Sequence, residues 1–143
     1  MRSRRRDEGA TSLEMLVVGA PAMLLFLAFF VAAGRISTAG SAVEGAARDA
    51  ARTASLDRFA DHASEDANAT ARQSLDAQDV KCQNLDVGVD TSGFAAPLGA
   101  AAHVTVTISC TVPLADLVLW GTPGSKTLTA TFSSPLDPYR AKE

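Results

Sequence analysis

The residues whose types and spacing suggest chemistry lie at the front edge of an apolar run. Glu14 is the last charged residue before an uncharged stretch from Met15 to Ala33, and Gly9 precedes it by five positions. A carboxylate beside an apolar medium is costly unless it is paired with a cation. Glu14 therefore needs a cationic partner, or it is a first-turn helix acid that the helix macrodipole favours.

The uncharged stretch predicts a single transmembrane helix. A bilayer core requires about 20 apolar residues in helical form, and the interruptions at Gly19 and Pro21 are tolerated in membrane helices. Four arginines precede the stretch: Arg2, Arg4, Arg5 and Arg6. Positively charged flanks remain cytoplasmic, so we expect the N-terminus inside and the chain after Gly34 outside. Arg35 flanks the outer end, where its side chain can extend to the interface.

An ordinary secretory signal peptide is the alternative interpretation. It would be cut near Ala33 and would release a soluble protein that starts near Gly34. The apolar run exceeds the usual 7–15 residues of such signals, and Glu14 is unfavourable inside one. An uncut, membrane-anchored binding domain is a second alternative.

The stretch "GATSLE", Gly9 to Glu14, followed at once by a hydrophobic helix, resembles the prepilin peptidase site of type IV pilins and pseudopilins. The layout, with the ending "TLTATFSSPLDPYR", is similar to TadE-like minor pseudopilins of tight-adherence (Flp-type, type IVb) pilus systems. The resemblance covers about the first 60 residues well and the remainder loosely.

This resemblance implies a basic leader at 1–9, cleavage between Gly9 and Ala10, and a transmembrane helix at 10–34. A glycine before the cut lets a protease approach the backbone closely. The new ammonium of Ala10 would pair with Glu14, in the same or a neighbouring subunit, for subunit register and membrane insertion. The implied partners are prepilin peptidase, other pilins or pseudopilins and the pilus assembly platform. The implied role is structural or priming, in the cell membrane or in an extracellular pilus.

Composition supports one domain without catalytic machinery. The chain has 143 residues and a net charge of -3, with no basic patch typical of nucleic-acid binding. It contains no catalytic triad pattern, no glycine-rich phosphate loop and no cluster of metal ligands. We therefore expect no enzymatic activity, no cofactor, no metal and no nucleic-acid partner.

The segment from Arg35 to about Asp76 has helical periodicity. Apolar and small residues recur at steps of three and four, and Phe59 and Ala63 extend the stripe. No proline lies between Pro21 and Pro97. The pattern predicts that the membrane helix continues as one long amphipathic stem, with an extracytoplasmic helical region at 35–80.

Alternation of apolar and polar residues then predicts a β-rich domain at 81–143. The segments are "NLDVGVD" from Asn84, "HVTVTISCTV" from His103 and "KTLTATFS" from Lys126. The predicted fold class is α+β, a long N-terminal helix packed on a small antiparallel sheet. The apolar connector Pro113 to Gly121 either covers the open side of the sheet or contacts a partner pilin, and its Trp120 favours packing.

Two cysteines, Cys82 and Cys110, would lie outside the membrane, where disulfides persist. Their spacing suits a bridge between the first two strands. Pairing Leu85 with Ile108 aligns the apolar residues of these strands but leaves the two cysteines out of register. The bridge then requires a bulge, or Cys82 must lie outside the regular ladder.

Overall fold

The computed structural model describes residues 7–117 and 123–139, with side chains from Met15 onward. Two helices, α1 (Asp7–Leu56) and α2 (Ala60–Ala77), precede three strands, β1 (Asn84–Asp90), β2 (His103–Pro113) and β3 (Ser125–Pro135). A 3₁₀ turn (Ser92–Ala95) and a four-residue helix, α3 (Leu114–Leu117), lie in the connections. The predicted α+β class is confirmed, because α1 packs on a three-stranded antiparallel sheet.

The stem is a hairpin of two helices, and the prediction of one helix continuing to Asp76 is wrong. Phe59 has an extended backbone, with φ -119° and ψ 138°, and separates the two helices. The Ser74 hydroxyl donates a 3.1 Å hydrogen bond to the Asp49 carboxylate, so α2 runs back antiparallel along α1. Phe59 also leaves the predicted stripe, since it is exposed at this turn.

Small side chains fill the interface between the helices and the sheet. In α1 and α2 the buried positions are mostly alanines, which allow backbones to approach closely because helix separation depends on the contacting side chains. The buried residues of the two helices in this core are Ala39, Val43, Ala46, Ala47, Ala50, Ala51, Ala54, Ala63, Ala67, Ala71 and Leu75. The predicted small-residue stripe therefore packs within the chain.

The central strand β2 supplies the sheet's share of the core. Its alternate residues Val104, Val106, Ile108 and Cys110 are fully buried beneath the helices. Its other face is polar and is joined to β3 by four hydroxyl pairs at 3.0–3.2 Å, namely Thr105–Ser133, Thr107–Thr131, Ser109–Thr129 and Thr111–Thr127. The sheet thus has one face on the helices and one face toward solvent.

The register between β1 and β2 differs from the predicted one by two residues. Leu85 lies opposite Cys110, and Val87 lies opposite Ile108. Cys82 precedes β1 and is joined to Cys110 by a disulfide with a Cα–Cα distance of 5.3 Å. Of the two geometries considered, the structure has the one with Cys82 outside the regular ladder.

The connector after β2 is described only in part. Leu117 is buried in the core, and Leu114 is half-buried beside it. Val118 and Trp120, on which the predicted packing of this connector also depended, lie outside the described residues.

Candidate functional site at the exposed apolar helix

The uncharged segment of α1 projects from the rest of the fold. Its large apolar side chains are between 50% exposed, at Val31, and 77% exposed, at Met15 and Met23. The exposed residues are Met15, Leu16, Val17, Val18, Met23, Leu24, Leu25, Phe26, Leu27, Phe29, Phe30 and Val31. The segment therefore has no packing partner within the described part of the chain that would remove it from water.

Burial of one such side chain is worth about 1.5–3 kcal/mol, so twelve of them left in water forgo tens of kcal/mol. Within the described residues, α1 is the one helix long and apolar enough to cross a membrane. Only 6% of its most apolar part is buried, unlike the core helix of a soluble protein. The helix is consistent with a membrane anchor or a signal sequence.

The predicted processing residues lie at the start of this helix. The backbone of Gly9, Ala10 and Glu14 is helical, because α1 begins at Asp7. Ala10 and Glu14 are four residues apart, so they lie one turn apart on the same side of α1. Their side chains fall outside the described part of the structure.

The outer end of the segment lies against the folded domain. Ala32 is buried, and the Arg35 guanidinium is 3.5 Å from the backbone carbonyl oxygen of Asp116, to which it donates. The helical hairpin also returns Lys81 to this level of α1. Sequence reasoning did not bring Arg35 and Lys81 together, because it predicted a stem that continued away from the membrane.

Two carboxyl groups elsewhere have shifted pKa values. Burial, and then the nearby Asp66 carboxylate, raise the pKa of Asp57 above its ordinary 3.8, while His62 opposes the shift. Hydrogen bonds from the Ser92 hydroxyl and backbone N–H lower the pKa of Asp90. In the described part of the chain, no group of three or more His, Cys, Asp and Glu side chains is arranged to hold a metal ion.

No protein-family model, curated protein or solved structure matches the chain. The architecture is nevertheless pilin-like. A long N-terminal apolar helix is followed by a small antiparallel sheet with a disulfide. In this arrangement the apolar end of α1 projects from the domain, while the other end of the same helix forms part of the globular core.

Proposed function

We propose that the protein is a minor pseudopilin, similar to the TadE-like proteins of tight-adherence pilus systems. It is made as a precursor, inserted with its N-terminus in the cytoplasm, and cut between Gly9 and Ala10 by a prepilin peptidase. Its role is structural: it joins or primes a pilus together with other pilins or pseudopilins on the assembly platform. The observation that carries the proposal is the unbroken passage of α1 from an exposed apolar segment into the core of a small sheet domain.

The position of Glu14 supports this processing. A cut after Gly9 creates an ammonium group at Ala10, four residues before Glu14. Four residues of helix rise about 6 Å, a distance that a glutamate side chain spans within one turn. The pair would satisfy a carboxylate at the membrane boundary, either within one subunit or between neighbouring subunits.

The exposed apolar segment of α1 supports assembly. Its side chains are uncharged from Met15 to Ala33, and its large apolar side chains are exposed around the helix. The same surface that faces lipid in the membrane can face the helices of neighbouring subunits in a fibre. Exchange of one apolar environment for another avoids exposing these residues to water.

The secretory alternative is less compatible with the packing of α1. A cut after Ala33 would separate Val31, which lines a pocket together with Gln78–Lys81 and α3, from the rest of that pocket. The cut bond would also lie only two residues before the contact from Arg35 to Asp116. These features favour a mature chain that keeps the uncharged segment of α1.

The test is intact mass and N-terminal peptide mapping of membrane-fraction protein, expressed with and without a prepilin peptidase. We expect a peptidase-dependent start at Ala10, and we expect Gly9→Val to block it. Gly34→Val is the matched control, because a Cβ atom added at Gly34 has no neighbour within 4 Å. A start near Gly34 would establish the secreted protein instead, and an intact Met1 despite an active peptidase would establish the uncut anchored domain.

Assembly is tested separately from cleavage. We expect Glu14→Gln to be cut normally but to be depleted from sheared pilus fractions. Glu44→Gln, at an exposed glutamate on the same helix, is the control and should be incorporated as the native chain is. Normal incorporation of Glu14→Gln would show that Glu14 only stabilises the start of the helix and has no role in assembly.

A further inference from the structure

A cavity of about 670 Å³ lies where α1 leaves its uncharged segment. Three parts of the chain line it: α1 between Val31 and Ala39, the segment Gln78 to Lys81 after α2, and the end of β2 with α3. It therefore forms at the base of the domain, where the helical hairpin and the sheet both return toward the anchor.

The position of this cavity relative to the bilayer follows from helix geometry. The uncharged residues 15–33 span roughly 28 Å at a rise of about 1.5 Å per residue. The hydrocarbon core of a bilayer is about 30 Å thick, and each headgroup layer adds about 5–7 Å. If α1 spans the bilayer, Gly34, Arg35 and Thr38 lie in the outer headgroup layer, and the cavity opens there.

The charges around the cavity are balanced. Arg35 and Lys81 provide two cations, and Asp79 and Asp116 provide two carboxylates. Lys81 Nζ is 3.8 Å from Asp79 Oδ1 in an exposed pair, which is a weak interaction that a ligand can replace. Arg35 uses one N–H group toward Asp116, and a guanidinium has five N–H donors. Phosphate oxygens can accept charge-assisted hydrogen bonds from the two cations, and an ammonium group can donate them to the two carboxylates.

Apolar surface continues from the cavity into the membrane. Val31 lines the cavity, and Leu24 and Leu27 precede it on the same side of α1 at helical spacing. All three are at least half exposed. A molecule with a charged head at Arg35 can therefore lay an acyl chain along these residues.

We propose that this cavity binds the headgroup of an amine-bearing, zwitterionic phospholipid of the outer leaflet, such as a phosphatidylethanolamine. Arg35 and Lys81 bind its phosphate, while Asp79 and Asp116 accept hydrogen bonds from its ammonium. The lipid fixes the depth and rotation of α1 before any subunit contact is made. This proposal rests on membrane insertion of α1, as the proposed function does, but not on cleavage at Gly9.

The test uses the full-length chain purified in detergent, with lipid binding followed by native mass spectrometry. Phosphatidylethanolamine, phosphatidylcholine and phosphatidylglycerol are compared at equal concentrations. We expect phosphatidylethanolamine to bind best, because phosphatidylcholine lacks ammonium N–H donors and phosphatidylglycerol lacks the cation. Free phosphoethanolamine should compete only weakly, since it has no acyl chain; strong competition would identify a soluble phosphate compound as the ligand and overturn the lipid assignment.

Arg35→Gln and Lys81→Gln should each reduce phosphatidylethanolamine binding about threefold to tenfold. Arg58→Gln is the control, because Arg58 lies beyond the other end of α1, about 30 Å away by helix rise, and should leave binding unchanged. Ala115→Phe narrows the cavity without changing its charge and should also weaken the preference for phosphatidylethanolamine. Thermal denaturation of each variant verifies that the fold is retained.

Equal binding of the three lipids, or a preference that survives both charge removal and Ala115→Phe, would overturn the proposal. Cross-linking of Lys81 to a neighbouring subunit that excludes the lipid would assign the cavity to a protein contact instead. N-terminal mapping of the chain coexpressed with a prepilin peptidase, followed by the same lipid measurement, separates the two hypotheses. A selective but uncut chain supports the lipid site and contradicts the processing, whereas a cut, unselective chain does the reverse.

Discussion

Cys110 lies opposite Leu85 in the β-ladder, yet its disulfide partner is Cys82, three residues earlier in the chain. Gln83 already donates a 2.8 Å backbone hydrogen bond to Thr111, so the chain joins the ladder directly after the bridge. The disulfide therefore fixes the point where the segment after α2 becomes β1.

Removal of this bridge should destabilise the domain. The two cysteines are 28 residues apart, and closing a loop of that size is worth about 3–4 kcal/mol in the chain-entropy description. We expect the Cys82→Ala/Cys110→Ala double variant to lose about this much unfolding free energy, measured by denaturant titration in detergent.

Reduction of the native chain provides the control, because it opens the bridge without removing atoms from the buried Cys110 site. The native chain after reduction and the double variant should lose similar amounts. Unchanged stability in both would show that the bridge does not constrain the unfolded chain.

The alanine interface between α1 and α2 should not accept larger side chains. Ala67 is fully buried in α2, whereas Ala69, two positions on, is exposed. Ala67→Leu should cost about 1–3 kcal/mol through overpacking, and Ala69→Leu should change stability by less than about 0.5 kcal/mol. Thermal and denaturant unfolding of the two variants measure the difference, and equal costs would contradict the close packing of the hairpin.

Gly93 should be intolerant of any side chain. A Cβ atom there would overlap the backbone carbonyl oxygen of His103, which begins β2. Gly93→Ala should therefore destabilise the domain by about 1–3 kcal/mol. The control is Gly88→Ala in β1, where the added Cβ has its nearest neighbour, the Thr107 carbonyl oxygen, at 3.9 Å. A tolerated Gly93→Ala would mean that this loop does not lie against β2.

The turn between the helices should respond to pH through Asp57. Its pKa is raised in the folded state, so the folded state binds the proton more tightly, and stability falls as pH rises from about 3.8 through the raised pKa. Asp57→Asn removes this loss of stability. Its Tm should exceed the native Tm at pH 7 by an amount of the order of 1 °C, because the carboxylate is only partly buried and is screened by solvent. The difference should shrink as the pH is lowered toward 3.

Asp90 provides a comparison of opposite sign. The pKa of Asp90 is lowered in the folded state. Its contribution to folding stability is therefore present above the pKa of the unfolded state and is lost as the pH falls through the folded-state pKa. Asp90→Asn should therefore lower Tm at pH 7 and approach the native value in acid. Tm changes of the same sign at pH 7 for Asp57→Asn and Asp90→Asn would contradict the assigned environments of the two carboxyl groups.

The strands were largely predictable from sequence, because alternation is a direct consequence of one buried face. β1 has the predicted bounds, and β2 differs from its predicted segment by one residue. The register was not predictable from alternation, because a shift of two residues leaves every side chain on the same face. Pairing Leu85 with Ile108 and pairing it with Cys110 bury the same side of β1.

The helical turn was missed for a different reason. Neither proline nor glycine occurs between Leu56 and Ala60, and Phe59 caps α2 without a side-chain hydrogen bond. The alanine-rich stripe also continues across the break, since both helices pack alanines into one interface. Tertiary packing, rather than a local stop signal, ends α1 here. The cavity at Arg35 and Lys81 depends on this turn and was missed with it.

The direction of β3 along α1 determines how the domain would respond to a pulling force. Ser134 near the end of β3 donates a 3.0 Å hydrogen bond to Ser55 near the end of α1, while Val112 near the end of β2 lines the cavity beside Arg35. The long strands therefore run along α1, and the chain after β3 emerges at the end far from the uncharged segment. A pull between the uncharged segment and that end acts along β3, parallel to the strands and across the hydrogen bonds that join β3 to β2. The eleven paired positions of β2 and β3 then share the force in shear, instead of separating one after another.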